Sequence, residues 1–202
     1  MNALTMQNTN ETNPDTTSTM SITRLVDCPA MPWKNGRGRT RELAVHPPGA
    51  DMDDFLWRVS VAEVDCAAPF SAFPGIDRVI ALLDGDGFTM TLDDGRSHVL
   101  TTPCVPFAFP GEAKVDVALA GGSSRDFNLM LRRGRVRGDI EAWRTAGEHR
   151  LGTDVVLIHC ARGTLACAAG TLHAGEAWQP DGDRLVLHAG AIVLVVRVAA
   201  IA

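Results

Sequence analysis

No run of this sequence is apolar for long enough to cross a bilayer as a helix. The longest, AIVLVVRVAAIA at 191–202, is short, contains Arg197 and reads as a terminal strand. A secretory segment is also missing, because residues 1–20 are rich in Asn, Thr and Ser and have no apolar core. The five cysteines, Cys28, Cys66, Cys104, Cys160 and Cys167, are widely spaced and contain no C-x-x-C pair. That pattern argues against a disulfide framework or a zinc site and for a reducing cytoplasm. No H-x-H or H-E-x-x-H occurs: His98 stands alone, and His159 and His173 are far apart, so no transition-metal centre is expected. There is no G-x-S-x-G nucleophile elbow, and the G-x-G at Gly36–Gly38 lies in no βαβ unit. Excess positive charge is lacking too. With 19 Lys and Arg against 24 Asp and Glu, the net charge is −5, which disfavours nucleic acid as a general partner. The expectation is a cytoplasmic protein with no metal or cofactor and no nucleic-acid or membrane partner.

What remains is an ordinary globular composition, 46% hydrophobic and 21% charged, in a length that suits one compact unit or two small fused halves. Residues 1–20 have too few apolar groups to offset ordering entropy and read as a disordered tail, with Met20 an alternative start. From Ser21 onward the grammar is that of strands. DRVIALLDGDGFTMTLDDGRSHVL places strands around turns at Asp84–Gly87 and Asp93–Gly95, and Phe88, Met90 and Leu92 alternate with Thr89 and Thr91. Further strands are predicted at 114–119, 126–131, 154–160, 164–168, 184–188 and 191–198. Only DIEAWRTAGEHR at 139–150 reads as helix. VIALLDGDGFTMTL…VDVAL also lies against VVLIHCARGTLACA…AIVLVV as a repeat of pattern. Two copies of a cupin-like half would explain it. The predicted fold is all-β, a double cupin of the jelly-roll kind with little helix. The first barrel would span 21–135 and carry a ligand pocket; a smaller second barrel would span 136–202.

Four segments carry candidate chemistry. In MPWKNGRGRTRELAV, Trp33, Lys34 and Asn35 offer an aromatic face, a cation and an amide beside a flexible glycine pair. Arg37, Arg39 and Arg41 read as a solvated cluster. In FLWRVSVAEV, alternation puts Arg58, Ser60 and Ala62 on one face and Phe55, Trp57, Val59 and Val61 on the other. In PFSAFPGIDRVIALL, Phe70 and Phe73 flank Ser71, and Arg78 is in phase with Ile80 and Leu82. A cation there is costly unless it pairs with an acid such as Asp77 or Asp126, or binds a ligand. In RDFNLMLRRGR, Asp126, Asn128 and Met130 share a face opposite Phe127, Leu129 and Leu131, while Arg132, Arg133, Arg135 and Arg137 read as a solvated basic turn.

MPWKNGRGRTRELA, FLWRVSVAEV, PFSAFPGIDR and DFNLMLRRG resemble, in order and spacing, the signature blocks of the HutD/Ves family. Arg37 stands where the family's WKNGGG-like stretch has glycine. The resemblance implies two packed cupin barrels, possible homodimers, and a link to bacterial histidine utilisation. It also implies a pocket for a small anionic carboxylate such as urocanate or a formylated glutamate. The lining it implies is Lys34, Asn35, Arg58, Ser71, Arg78 and Asn128, with Trp33 and Asp126 nearby. The residue chemistry agrees: arginine forks suit carboxylates, and a few convergent polar groups in an apolar cavity are the usual form of a small-ligand site. Two readings stay open, a metal-independent binding protein and a metal-independent isomerase or hydrolase with Lys34 or Asp126 as general base.

Overall fold

The computed structural model of the chain describes residues 22–33 and 38–201. The tail expected at 1–20 lies outside the described residues. The first part of the chain forms β1 (Ile22–Arg24), β2 (Ala30–Pro32), β3 (Gly38–His46), β4 (Trp57–Val64), β5 (Ile76–Gly85), β6 (Phe88–Leu92), β7 (Ser97–Leu100), β8 (Phe107–Pro110), β9 (Val115–Leu119) and β10 (Ser124–Arg132). The second forms β11 (Val136–Trp143), β12 (Gly147–Arg150), β13 (Val155–Arg162), β14 (Thr164–Cys167), β15 (Gly170–His173), β16 (Glu176–Trp178), β17 (Arg184–Leu187) and β18 (Ile192–Ala200). Among the described residues one 3-10 turn, Leu25–Asp27, interrupts the strands. No helix among the described residues is long and apolar enough to cross a membrane.

The pairing is the physical form of the sequence repeat. A six-stranded sheet, β2-β3-β4-β10-β5-β8, faces a three-stranded one, β7-β6-β9. A five-stranded sheet, β1-β16-β13-β18-β11, faces a four-stranded one, β12-β17-β14-β15. Within each half the same ladder recurs. β5 lies between β10 and β8 as β13 lies between β18 and β16, and β6 lies between β7 and β9 as β14 lies between β15 and β17. The short β1 joins the second set by pairing with β16. The fold is an all-β double cupin.

Strand alternation sorts side chains into three layers. On the six-stranded sheet, Val59, Val61, Phe127 and Leu129 point away from the three-stranded sheet and pack against Ile140, Leu157, Leu194 and Val196 of the five-stranded sheet. That layer joins the two halves. The opposite face of the first half packs Val64, Ile80 and Leu82 against Phe88, Met90 and Val115. The second half is filled by Ile158, Trp178, Val193 and Val195 against Leu165, Leu172, Leu185 and Leu187.

Two local expectations are corrected. Residues 139–150 form no helix; they complete β11 and form β12. The segment carries good helix formers, but Val136, Gly138, Ile140 and Ala142 alternate toward the joining layer, and burial of that stripe against β18 overrides local propensity. Phe55 does not share a face with Trp57, Val59 and Val61. β4 begins at Trp57, and Phe55 sits in a preceding turn, packed with Ile76 and Met130.

Leu194 is fully buried in the layer joining the halves. Leu194→Ala is expected to destabilise the chain by about 2–5 kcal/mol, the range for a large-to-small core change. Urea unfolding followed by tryptophan fluorescence measures it, and an unchanged midpoint would contradict the joining role.

Candidate ligand-binding cleft

The cleft-facing side of the six-stranded sheet can be read off its register as three rows across the strands. The first is Thr40, Ala62, Asp126 and Leu82. The second is Glu42, Ser60, Asn128 and Ile80. The third is Arg58, Met130, Arg78 and Phe109. Neighbouring strands are ~4.8 Å apart, so Arg58 and Arg78 flank Met130 at opposite sides of β10. Above these rows opens a cavity of about 710 Å³. Its wall includes Trp33, Arg58, Ser71, Arg78, Asp126 and Asn128, so these six sequence candidates come together around one space. Lys34 and Asn35 lie outside the described residues, as does Arg37.

The two arginines differ in their partners. Arg58 is buried, and its Nε donates to Glu42 Oε2 at 2.6 Å while Nη1 reaches Ser60 Oγ at 3.5 Å. Its charge is balanced across the strand by an acid the sequence reading passed over. Arg78 has no such balance. Asp77 points away and pairs with Arg133 at 2.7 Å, and no ion pair joins Arg78 to any acid among the described residues. Its guanidinium lies instead among Phe70, Phe73 and Phe109, with Cζ at 5.3, 5.4 and 4.9 Å from the ring centres. Nη2 donates to Asn128 Oδ1 at 3.3 Å, and Nε is buried with no partner. Burial pushes its pKa down to about 10, which leaves it a cation at neutral pH. Facing aromatic rings offset part of the cost of that burial, but they supply no counter-charge.

The aromatic cage depends on a clamp. Phe73 N–H donates to Gly111 O at 2.7 Å, and Gly111 N–H donates to Ile76 O at 2.7 Å. A Cβ at Gly111 would stand 2.6 Å from both carbonyl oxygens, of Phe73 and Ile76, so only glycine permits this approach. Phe70 N–H is held by Val115 O at 3.0 Å. The loop carrying Phe70, Ser71 and Phe73 is therefore fixed to β8 and β9, with Ser71 exposed at the mouth.

At the other end of the rows, Asp126 is fully buried. Its Oδ2 accepts from Ser124 Oγ at 3.3 Å, and Oδ1 has no partner. Burial raises its pKa to about 7; the Ser124 bond opposes that rise and the charge of Asp84 adds to it. Trp33 covers this end. Its Nε1 donates to Thr40 Oγ1 at 2.8 Å, and its ring lies so close over Gly38 that a Cβ there would be 3.0 Å from it. Asn128 links the two ends, giving Nδ2–H to the Asp126 carbonyl at 3.1 Å.

Three contributors escaped the sequence reading. Arg132 does not belong to a solvated turn: it closes the series Asp126, Asn128, Met130, Arg132 along β10 and lines the cleft. Its Nε donates to Phe55 O at 3.1 Å, which ties down the turn before β4. The alternation already signalled its face. Glu42 and Phe109 are likewise in phase on their strands, but nothing local marks them as partners of Arg58 and Arg78. Arg39 and Arg41 pair with Glu63 at 2.6 and 3.3 Å. Among the described residues no three His, Cys, Asp or Glu side chains form a group that could hold a metal ion.

The Asp126 carboxyl links stability to pH. Unfolded, it titrates near ~3.9; folded, near 7. The folded state therefore binds more protons between these values, and stability is lost as pH rises through that window and is level above it. Asp126→Asn removes this loss, so the variant is expected to gain on the wild type from about pH 5 to about pH 8. Urea midpoints at the two ends measure the gain; parallel pH profiles would contradict it.

Comparison with known proteins places this arrangement. The HutD family model matches residues 26–199. Protein Ves of Cronobacter sakazakii is 36% identical over 157 residues, which cover 77% of this chain and 84% of that protein. An uncharacterized 21.2 kDa protein of the hutC 3′ region of Pseudomonas putida is 40% identical over 124 residues, 61% of this chain, and the match spans 64% of that relative's length. The solved structure of HutD from Pseudomonas fluorescens SBW25 aligns with a TM-score of 0.77 at 30% identity, covering 90% of this chain and 99% of that one. With the family match running through nearly every described strand, the chain belongs to the HutD family.

Proposed function

We propose that the cleft binds a small carboxylate metabolite and that Arg78 is its anchor. The observation that carries the reading is a buried guanidinium with an unpartnered Nε, no acid paired with it among the described residues, and a cavity beside it. An anion entering there gains a charge-assisted hydrogen bond and removes an unpaired buried charge. A volume of about 710 Å³ is ample for a metabolite-sized acid. The relatives' names, HutD and a protein of the hutC 3′ region, suggest histidine utilisation as the setting. Urocanate and formylglutamate are accordingly the first acids to test, and the role is that of a metal-independent binding protein that modulates the pathway.

One observation favours a second reading, a metal-independent isomerase or hydrolase. Burial sets the Asp126 carboxyl near 7, where a general base works best at neutral pH. Incubation with each acid followed by mass analysis separates the two: saturable binding without consumption supports the binder, and conversion supports the enzyme.

Calorimetry tests the anchor. Arg78→Ala is expected to weaken binding by about 1.5–3 kcal/mol, and Arg78→Lys to recover only part, since an ammonium lacks the planar fork. Arg58→Ala weakens binding for a different reason, by unmasking Glu42, so adding Glu42→Gln recovers part of that loss. The exposed Arg135→Ala is the control. Equal affinity of wild type and Arg78→Ala for every acid that binds would refute the anchor.

A further inference from the structure

The carboxylate reading uses Arg78 and leaves the opposite end of the cleft unassigned. β10 presents Asp126, Asn128 and Met130 to the cavity at two-residue steps, each ~6.8 Å. Arg78 stands opposite Met130 and bonds back to Asn128, so its guanidinium is about one such step from Asp126. Asn128 is committed at both ends, its Oδ1 to Arg78 and its Nδ2 to the Asp126 carbonyl. It is a fixed spacer between two poles.

The second pole is the Asp126 carboxyl. It is fully buried, its Oδ1 has no partner, and it lines the cavity. Ala62 and Leu82, beside it on β4 and β5, bring no polar side chain. Of the charges on the surrounding strands, Asp84 of β5 is paired with Arg125 at the surface, and Glu42 of β3 is taken by Arg58. No cation among the described residues pairs with Asp126. Burial lets such a carboxyl keep its proton well above the usual carboxylate range, and in the protonated form it donates one hydrogen bond and accepts others. Trp33 closes the same end, and its N–H is spent on Thr40, so it offers a ring surface only.

We propose that Asp126 selects the ligand: the cleft takes a flat carboxylate bearing an uncharged nitrogen or oxygen about one two-residue strand step (~7 Å) away, hydrogen-bonded to the Asp126 carboxyl and covered by Trp33. This deepens the carboxylate reading and rests on it. A site with a buried polar group discriminates against an analogue that leaves the group unpaired.

The probes are urocanate and cinnamate, which place an imidazole and a phenyl ring on the same acrylate. Calorimetry on the full chain measures both. Burial alone favours the phenyl ring, so a preference for urocanate is diagnostic. In the wild type urocanate is expected to bind about tenfold or more tighter, the scale of one buried hydrogen bond. Asp126→Ala is expected to abolish that preference while keeping cinnamate binding, and Asp126→Asn, which still donates and accepts, to retain much of it. A wild type that binds cinnamate as tightly as urocanate, or a preference that survives in Asp126→Ala, overturns the assignment of Asp126. In that case the carboxylate reading stands if Arg78→Lys weakens both acids. Failure of both acids to bind, or indifference of both to Arg78→Lys, overturns the two together. The wild-type comparison needs no variant and decides even if one fails to fold.

Discussion

Arg78 carries a permanent charge into the interior of a sheet and meets three phenylalanine rings and one amide, with no acid against it among the described residues. Desolvation of a guanidinium is costly, and cation–π contacts return only part of that cost. The structure around it is organised to hold this unfavourable arrangement in place. Gly111 locks the loop that carries Phe70 and Phe73, β8 supplies Phe109, and Asn128 fixes the orientation of the fork. These contacts hold the side chain in place, with its Nε buried and without a hydrogen-bond partner and the residue in the wall of the cleft. A buried cation beside a cavity is what supports the proposal of an anion site there.

The two halves of the molecule show how such a site arises within a cupin pair. Both use the same strand pairing, and their inward-facing positions correspond. In the second half, Val193 and Val195 of β18 and Ile158 of β13 fill the interior with Trp178 and four leucines. In the first half, the corresponding face of β10 carries Asp126 and Asn128, and β5 carries Arg78. One copy fills its interior with apolar side chains. The other exchanges part of its core for polar groups and opens a cavity. Repeats of one topology thus differ in whether their interior is apolar or opens a polar cleft.

Most of this was legible from period-two alternation. Arg58, Ser60 and Ala62, and Asp126, Asn128 and Met130, were assigned to their faces by pattern alone, and the register confirms those faces. The repeat was visible as pattern because both halves need the same turns. What pattern could not supply was pairing over long range. Whether Arg78 would meet an acid or an aromatic cage depended on a loop fixed by Gly111, and the balance of Arg58 by Glu42 depended on which strand lay beside β4. The helix expected at 139–150 failed for a related reason: its propensity was local, and the apolar stripe of β11 took effect only against β18. The basic run around Arg132 suggests solvent, but its position in the alternation places it on the cleft face.

Arg78 is the proposed docking point for an anion. A crystal structure of the protein grown with urocanate tests it most directly. The carboxylate is expected within hydrogen-bond distance of Arg78, with the phenylalanine cage unchanged. A ligand bound elsewhere, with the guanidinium still enclosed and unpaired, would contradict it.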